Sequence, residues 1–206
     1  MKISTPLVLG LALVPYSVAM LVTELMTSQD YARLFFTDLE GPIMLYGVNT
    51  TLAVALFWGT GLLCAVAIYL RGDGSPWATR AGRFLCLQVL LFAYLGLDDR
   101  FLIHERIDRK TGFNNALVLV IVGVAQLATL FWYRKEWDSP AARRWLILAA
   151  GLFVVMSVLD ALAPPLMVLR LSLEDLCKTW SAFFLFLFGC EMLRQQHTQA
   201  KRLHAV

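Results

Sequence analysis

The sequence predicts an all-α fold: a polytopic bundle of about six membrane-spanning helices with both termini cytoplasmic. Three observations carry that reading. Of the 206 residues, 59% are hydrophobic and 16% charged, against about 45–50% and about 25% in a soluble domain. Mean hydropathy is +0.65, and apolar runs close to the roughly 20 residues that cross a bilayer recur along the chain. Lys and Arg gather in alternate connections, as short cytoplasmic loops require. Six spans take up about 120–150 residues, so residues 1–206 read as one membrane-embedded domain with no room for a separate soluble catalytic domain.

The first run, 5–26, follows Lys2 and contains Pro15, which membrane helices tolerate because neighbours re-satisfy the freed carbonyl. Ser17 and Ala19 fit a signal-peptide cleavage pattern, but apolar character continues through Val22 and Leu25, past the 7–15-residue core of a signal, and the run reads as a retained span. Ser28 is placed to cap a short helix in which Tyr31, Leu34, Phe35 and Leu39 fall at helical spacing before Gly41-Pro42. That helix reads either as lying in the outer interface or as an ordered segment tucked over the bundle. The remaining spans are 43–70, 84–108, 116–133, 145–163 and 173–193. Turn residues Arg71 to Pro76 separate the second from the third, and the polar tail from Arg194 reads as a continuation of the last helix.

Charge sets the orientation. Lys2, Arg71, Arg80, Arg83, Arg134, Lys135, Arg143, Arg144, Arg194, Lys201 and Arg202 fall on one side, against Arg33, Arg100, Arg106, Arg109, Lys110 and Arg170 on the other. The first side is therefore cytoplasmic. The acids sort the other way: Asp73, Glu136, Asp138 and Glu191 are inside, and the other acids lie at the outer ends. The net charge of +3, with no aromatic-interleaved basic patch, excludes nucleic acid as a partner. The bilayer itself is the expected partner, and oligomeric state is not legible.

The densest polar signal is Leu97-Asp98-Asp99-Arg100-Phe101-Leu102-Ile103-His104-Glu105. If one helix continues through it at about 100° per residue, Tyr94, Asp98, His104, Glu105 and Asp108 share a face. Carboxylates with one imidazole are a ligand set for zinc, manganese or iron, and equally for acid–base chemistry. Asp98, His104 and Glu105, joined by Asp160 from the fifth span, are the candidate ligands of a divalent metal. Asp98, Glu105 and Lys178 are the candidate catalytic groups, and Tyr94, Glu174 and Glu24 the candidate substrate contacts. Ionisable groups at membrane depth are costly and mark sites or pathways.

Structural roles compete with several of these. Glu174 before Lys178 is a helix-stabilising spacing, Ser172 with Asp175 reads as a capping box, and Glu24 or Asp160 can sit in headgroup water. Cys64, Cys86, Cys177 and Cys190 lack a paired spacing and read as packing residues. No Gly-rich phosphate loop, H-E-x-x-H or G-x-S-x-G occurs.

The 97–105 segment, with the later Leu173-Glu174-Asp175, resembles the acidic-aromatic-His-Glu motif of uncharacterised bacterial multi-pass membrane proteins. The resemblance implies a small inner-membrane protein and no particular substrate. The ceramidase-related seven-helix hydrolases are not a match, since six spans and one outer His replace the seven spans and three His expected there. The functional expectations are a metal-dependent hydrolase or transferase acting on a lipid or lipid-linked substrate, a proton-coupled transporter in which the same carboxylates titrate, with only Gln88, Gln126 and the cysteines as polar candidates below Tyr94, or a non-catalytic assembly subunit.

Overall fold

A computed structural model of the chain describes residues 5–36, 47–72, 75–103, 107, 115–162, 164 and 169–203. These residues form α1 (Thr5–Met26), α2 (Gln29–Phe36), α3 (Val48–Arg71), a 3-10 turn (Pro76–Ala78), α4 (Arg80–Phe101), α5 (Asn115–Trp132), α6 (Arg134–Trp137), α7 (Pro140–Leu162) and α8 (Arg170–Leu203). The all-α class is therefore as the composition requires. Among the described residues, five helices carry stretches long and apolar enough to cross a membrane: Val8–Met26, Val48–Arg71, Arg80–Phe101, Pro140–Leu159 and Arg170–Ala200. The chain is a multi-pass membrane protein. The expected span 116–133 falls on α5, whose 18 residues make about 27 Å, a little less than the roughly 30 Å hydrocarbon core. Exposed Val8, Leu11, Val14, Val18 and Val22 on α1, and Val120, Ile121, Val124 and Leu127 on α5, are faces that lipid solvates and water would not.

Contacts divide the chain into two compact units. One comprises Met1–Ala53 and Leu146–Leu185, the other Val54–Trp145 and Phe186–Val206. The division falls inside α3, α7 and α8.

In the first unit, α1 occupies the residues that the apolar run marks. Ser28 caps α2 as its sequence position predicts, accepting from the Tyr31 amide at 3.1 Å. Ala32 and Phe36 of α2 are buried with Met20 of α1 and Leu176 of α8, and Tyr16, Leu21, Phe35 and Leu171 pack around them. The short helix is thus packed on its neighbours. α3 starts at Val48, five residues after the expected 43, behind Gly47 at φ 60. That left-handed conformation suits glycine, and the Gly47 amide donates to the Leu34 carbonyl at 2.8 Å.

In the second unit, Thr79 caps α4 by accepting from the Gly82 amide at 3.1 Å. Two glycines of α4 are required by close approach. A Cβ at Gly82 would strike the Pro76 carbonyl, and one at Gly96 would strike the Trp58 indole of α3. Phe84, Leu85 and Phe92 of α4 are fully buried, as are Phe188 and Met192 of α8. Gln88 of α4 and Gln126 of α5 exchange two amide hydrogen bonds, at 3.1 and 2.9 Å. Ser139 caps α7, accepting from the Ala142 amide at 3.2 Å, with Pro140 in the first helical position.

Two boundaries correct the sequence reading. α4 ends at Phe101, where Leu102 turns left-handed at φ 51 and its amide bonds to the Asp98 carbonyl, so no unbroken helix runs from 84 to 108. The final helix runs from Arg170 to Leu203, longer at both ends than the expected 173–193, and takes in most of the polar tail.

Candidate functional site

The residues proposed from sequence divide between the two units. In the second, Tyr94 and Asp98 lie one turn apart on α4, with the Asp98 carboxylate near the Tyr94 phenol. Asp98 is buried. His104, Glu105 and Asp108 lie outside the described residues. The single stripe that joined them to Asp98 assumed a continuous helix, and the left-handed Leu102 removes that premise. Among the described residues no group of three His, Cys, Asp or Glu side chains is placed to hold a metal; of the expected set Asp98, His104, Glu105 and Asp160, only the Asp98 side chain is among them. Asp160 belongs to α7, and its side chain lies outside the description. The four cysteines are free thiols.

The first unit holds Glu24, Glu174 and Lys178, together with a polar network that joins α1, α3 and α8. Its hub is Asn49, fully buried at the start of α3. The Asn49 Oδ1 accepts from the Tyr16 hydroxyl of α1 at 3.1 Å and from Thr179 Oγ1 of α8 at 2.8 Å. Its Nδ2 donates to the Asp175 carbonyl at 3.3 Å. Trp180 Nε1 donates to Ser17 Oγ of α1 at 2.9 Å. Thr50, also buried, donates to the Phe36 carbonyl at 2.5 Å. Three helices are thereby held through side chains that sequence spacing cannot pair.

Glu24 occupies a different position. Leu169, at φ 66, precedes the first residue of α8, and the third amide of that helix, on Ser172, donates to Glu24 Oε2 at 2.9 Å. A carboxylate from α1 thus caps a helix whose first-turn amides have no partner within the helix itself, where the positive end of the dipole favours an anion. This replaces the expected Ser172–Asp175 capping box. Asp175 pairs instead with Lys178 at 3.3 Å, and Glu174 with Arg170 at 3.9 Å. Ser181 donates to the Ala149 carbonyl of α7 at 2.9 Å.

Glu24 is 6% exposed and Ser172 0%. Among the described residues Glu24 Oε1 and Ser172 Oγ are buried without hydrogen-bond partners. A buried polar atom left unpaired costs about 1–3 kcal/mol, and here two of them belong to residues already joined by a hydrogen bond. The site can accept a proton donor through the carboxylate oxygen, and can donate or accept through the hydroxyl.

A family model matches residues 7–191. The chain belongs to the DUF8692 family. The family is described as a domain of unknown function, and the match extends far beyond the dozen residues of the 97–105 motif and its later partner. No curated protein and no solved structure matches the chain. The DUF8692 region takes in Glu24, Asn49, Asp98 and Ser172, and extends to Glu191.

The sequence reading missed Glu191. This carboxylate, 7% exposed, accepts from Arg194 Nε and Nη2, both at 2.7 Å, and from Gln195 and Ser139, both at 3.1 Å. It ties α8 to the hydroxyl that caps α7. The Glu191 to Arg194 spacing of three was the available signal.

Proposed function

We propose that this DUF8692 protein binds the polar headgroup of a lipid or lipid-linked molecule at the junction of Glu24 and Ser172, with that end of the bundle facing the periplasm or exterior. The observation that carries the reading is the buried Glu24 Oε1 beside the buried Ser172 Oγ, neither with a partner among the described residues. The complementary ligand group is a hydrogen-bond donor, an ammonium or a hydroxyl, held by a carboxylate oxygen that the fold has not used. The lipid-exposed faces of α1 and α7 support delivery from the bilayer. The charge distribution between the two ends, with its basic inner rim, supports the orientation.

Metal-assisted hydrolysis through Asp98, His104, Glu105 and Asp160 rests on the sequence pattern, and the described residues add no further three-ligand group to it. Catalytic roles for Asp98, Glu105 and Lys178 rest on the sequence pattern alone. A proton path through Gln88 and Gln126 also loses ground, since the two amides satisfy each other.

The test is the lipid complement that co-purifies in mild detergent, compared between wild type, Glu24→Gln and Ser172→Ala. Wild type is expected to retain an amine- or hydroxyl-bearing species that both variants lose. Identical complements in all three would overturn the reading.

A further inference from the structure

Within the second unit, the start of α4, the end of α5 and the start of α7 meet at α6. Arg80, the first residue of α4, makes the junction. Its Nη2 donates to the Trp132 carbonyl at 2.6 Å, its guanidinium carbon stands 5.5 Å from the centre of the Tyr133 ring, and its Nε lies 3.7 Å from Glu136. Asp138 then ties α6 to α7 through Arg134 at 2.9 Å and Arg143 at 2.7 Å. Residues 76–83 and 132–145 carry six basic side chains and two acidic ones, and these contacts engage both acids. Arg83, Lys135 and Arg144 are exposed and have no acidic partner among the described residues. Arg144 lies over the Trp145 ring at 4.2 Å, a stacking that uses the face of the guanidinium and leaves its N–H edge for an anion.

The depth of this patch identifies its partner. Arg80 opens one candidate membrane span, Pro140 opens another, and Trp132 closes the apolar stretch of α5, so the charges stand where hydrocarbon gives way to headgroups. Trp77 and Trp132, 54% and 70% exposed, stand at the same junction, and Trp and Tyr favour that level of a bilayer. Basic residues next to a membrane helix attract anionic lipids. A soluble acidic protein would have to cover Trp132 and the exposed Phe131 beside it, side chains that lipid already solvates. A zwitterionic headgroup adds a cation that the three uncompensated charges repel.

We propose that this junction is a binding surface for anionic phospholipid headgroups, with Arg83, Lys135 and Arg144 supplying the charge and Trp77 and Trp132 seated among the headgroups. It shares no residue with the donor-binding site proposed at Glu24 and Ser172.

The experiment is native mass spectrometry of the delipidated full-length protein in detergent, titrated with phosphatidylglycerol or with phosphatidylcholine of the same chains. Wild type is expected to bind phosphatidylglycerol at least about fivefold more tightly, the factor that one uncompensated basic residue provides near a membrane surface. The double variant Arg83→Gln with Lys135→Gln should lose most of that preference, and Arg144→Gln alone should lose part of it, both with the melting temperature of wild type. A control pair, Arg33→Gln with Arg100→Gln, removes the same net charge away from the junction and should keep the preference, as should Glu24→Gln, so this proposal and the one at Glu24 fail separately. Equal binding of both lipids by wild type, an undiminished preference in the double variant and in Arg144→Gln, or an equal loss in the control pair would overturn the proposal. So would displacement of phosphatidylglycerol by poly-glutamate, which would point to an acidic protein in its place.

Discussion

Glu24 and Glu191 are both glutamates buried in a membrane protein, and they are satisfied in opposite ways. Glu191 draws its donors from close by in sequence, with Arg194 three residues on and Gln195 four, and adds the Ser139 hydroxyl. Both of its oxygens are engaged. Glu24 draws its hydrogen bond from an amide 148 positions away, and its other oxygen has no partner among the described residues. The first arrangement closes a carboxylate into the structure, whereas the second uses half of one for folding and leaves half open. Burial alone therefore does not tell the two carboxylates apart, and the count of satisfied lone pairs does.

The largest expected effect comes from the closed carboxylate. Glu191→Ala removes the acceptor for Arg194, Gln195 and Ser139 together and loosens the cap of α7. Hydrogen bonds to charged groups are worth about 1.5–3 kcal/mol each, and much of the loss is recovered by water around the exposed Arg194. The expected destabilisation is about 2–3 kcal/mol, read as a lowered unfolding midpoint in detergent. A shift as small as that of an exposed surface substitution would show that the cluster is incidental to stability and would remove the contrast with Glu24.

The open carboxylate should separate folding from binding. Glu24→Ala deletes the cap of α8, and loss of a cap costs about 1 kcal/mol. Glu24→Gln keeps an oxygen that can accept from the Ser172 amide, so its unfolding midpoint should stay close to wild type. The Gln amide replaces an anionic oxygen with a donor or a weaker acceptor, which lowers affinity for a donor-bearing headgroup. If Glu24→Gln proves as unstable as Glu24→Ala, the carboxylate is a purely structural cap.

Much of the fold was legible because it rests on local patterns. Composition and run length mark the membrane helices, Lys2 and Met26 bracket α1, and Ser28 and Gly41-Pro42 frame the segment that contains α2. The helix ends at Leu102 and Leu169 were not legible. Each residue is left-handed, a conformation that Gly or Asn ordinarily signals and a branched apolar side chain disfavours. With the stop at Leu102 unseen, the sequence reading drew one helical face through His104 and Glu105. The site at Glu24 was legible only in part. Glu24 was named, but its pairing with Ser172 depends on bringing α1 to the start of α8. The Asn49 hub was hidden for the same reason, since no spacing rule connects Tyr16, Asn49 and Thr179.

The smallest expected effect extends the comparison to a solvent-side acid. Asp138, after α6, accepts from Arg134 Nε at 2.9 Å and from Arg143 Nη2 at 2.7 Å and Nε at 3.0 Å. The hydrogen bonds from Arg143 and then Arg134 hold its carboxyl below the ordinary value of 3.8. A folded-state pKa below the unfolded one means that the stabilisation is complete above the ordinary carboxylate range. It is lost as pH falls through the lowered folded value. Asp138→Asn should therefore lower the unfolding midpoint by a small, constant amount at neutral and mildly acidic pH, with the gap to wild type closing below about pH 4. Exposed pairs of this kind contribute little because water competes for both partners and salt screens them, so high ionic strength should narrow the gap as well. A gap that persists unchanged at low pH would mean that Asp138 stabilises the α6–α7 connection through its backbone geometry and not through its charge. Satisfied lone pairs would then no longer rank these acids, because an acid with every partner in place would be contributing nothing through them.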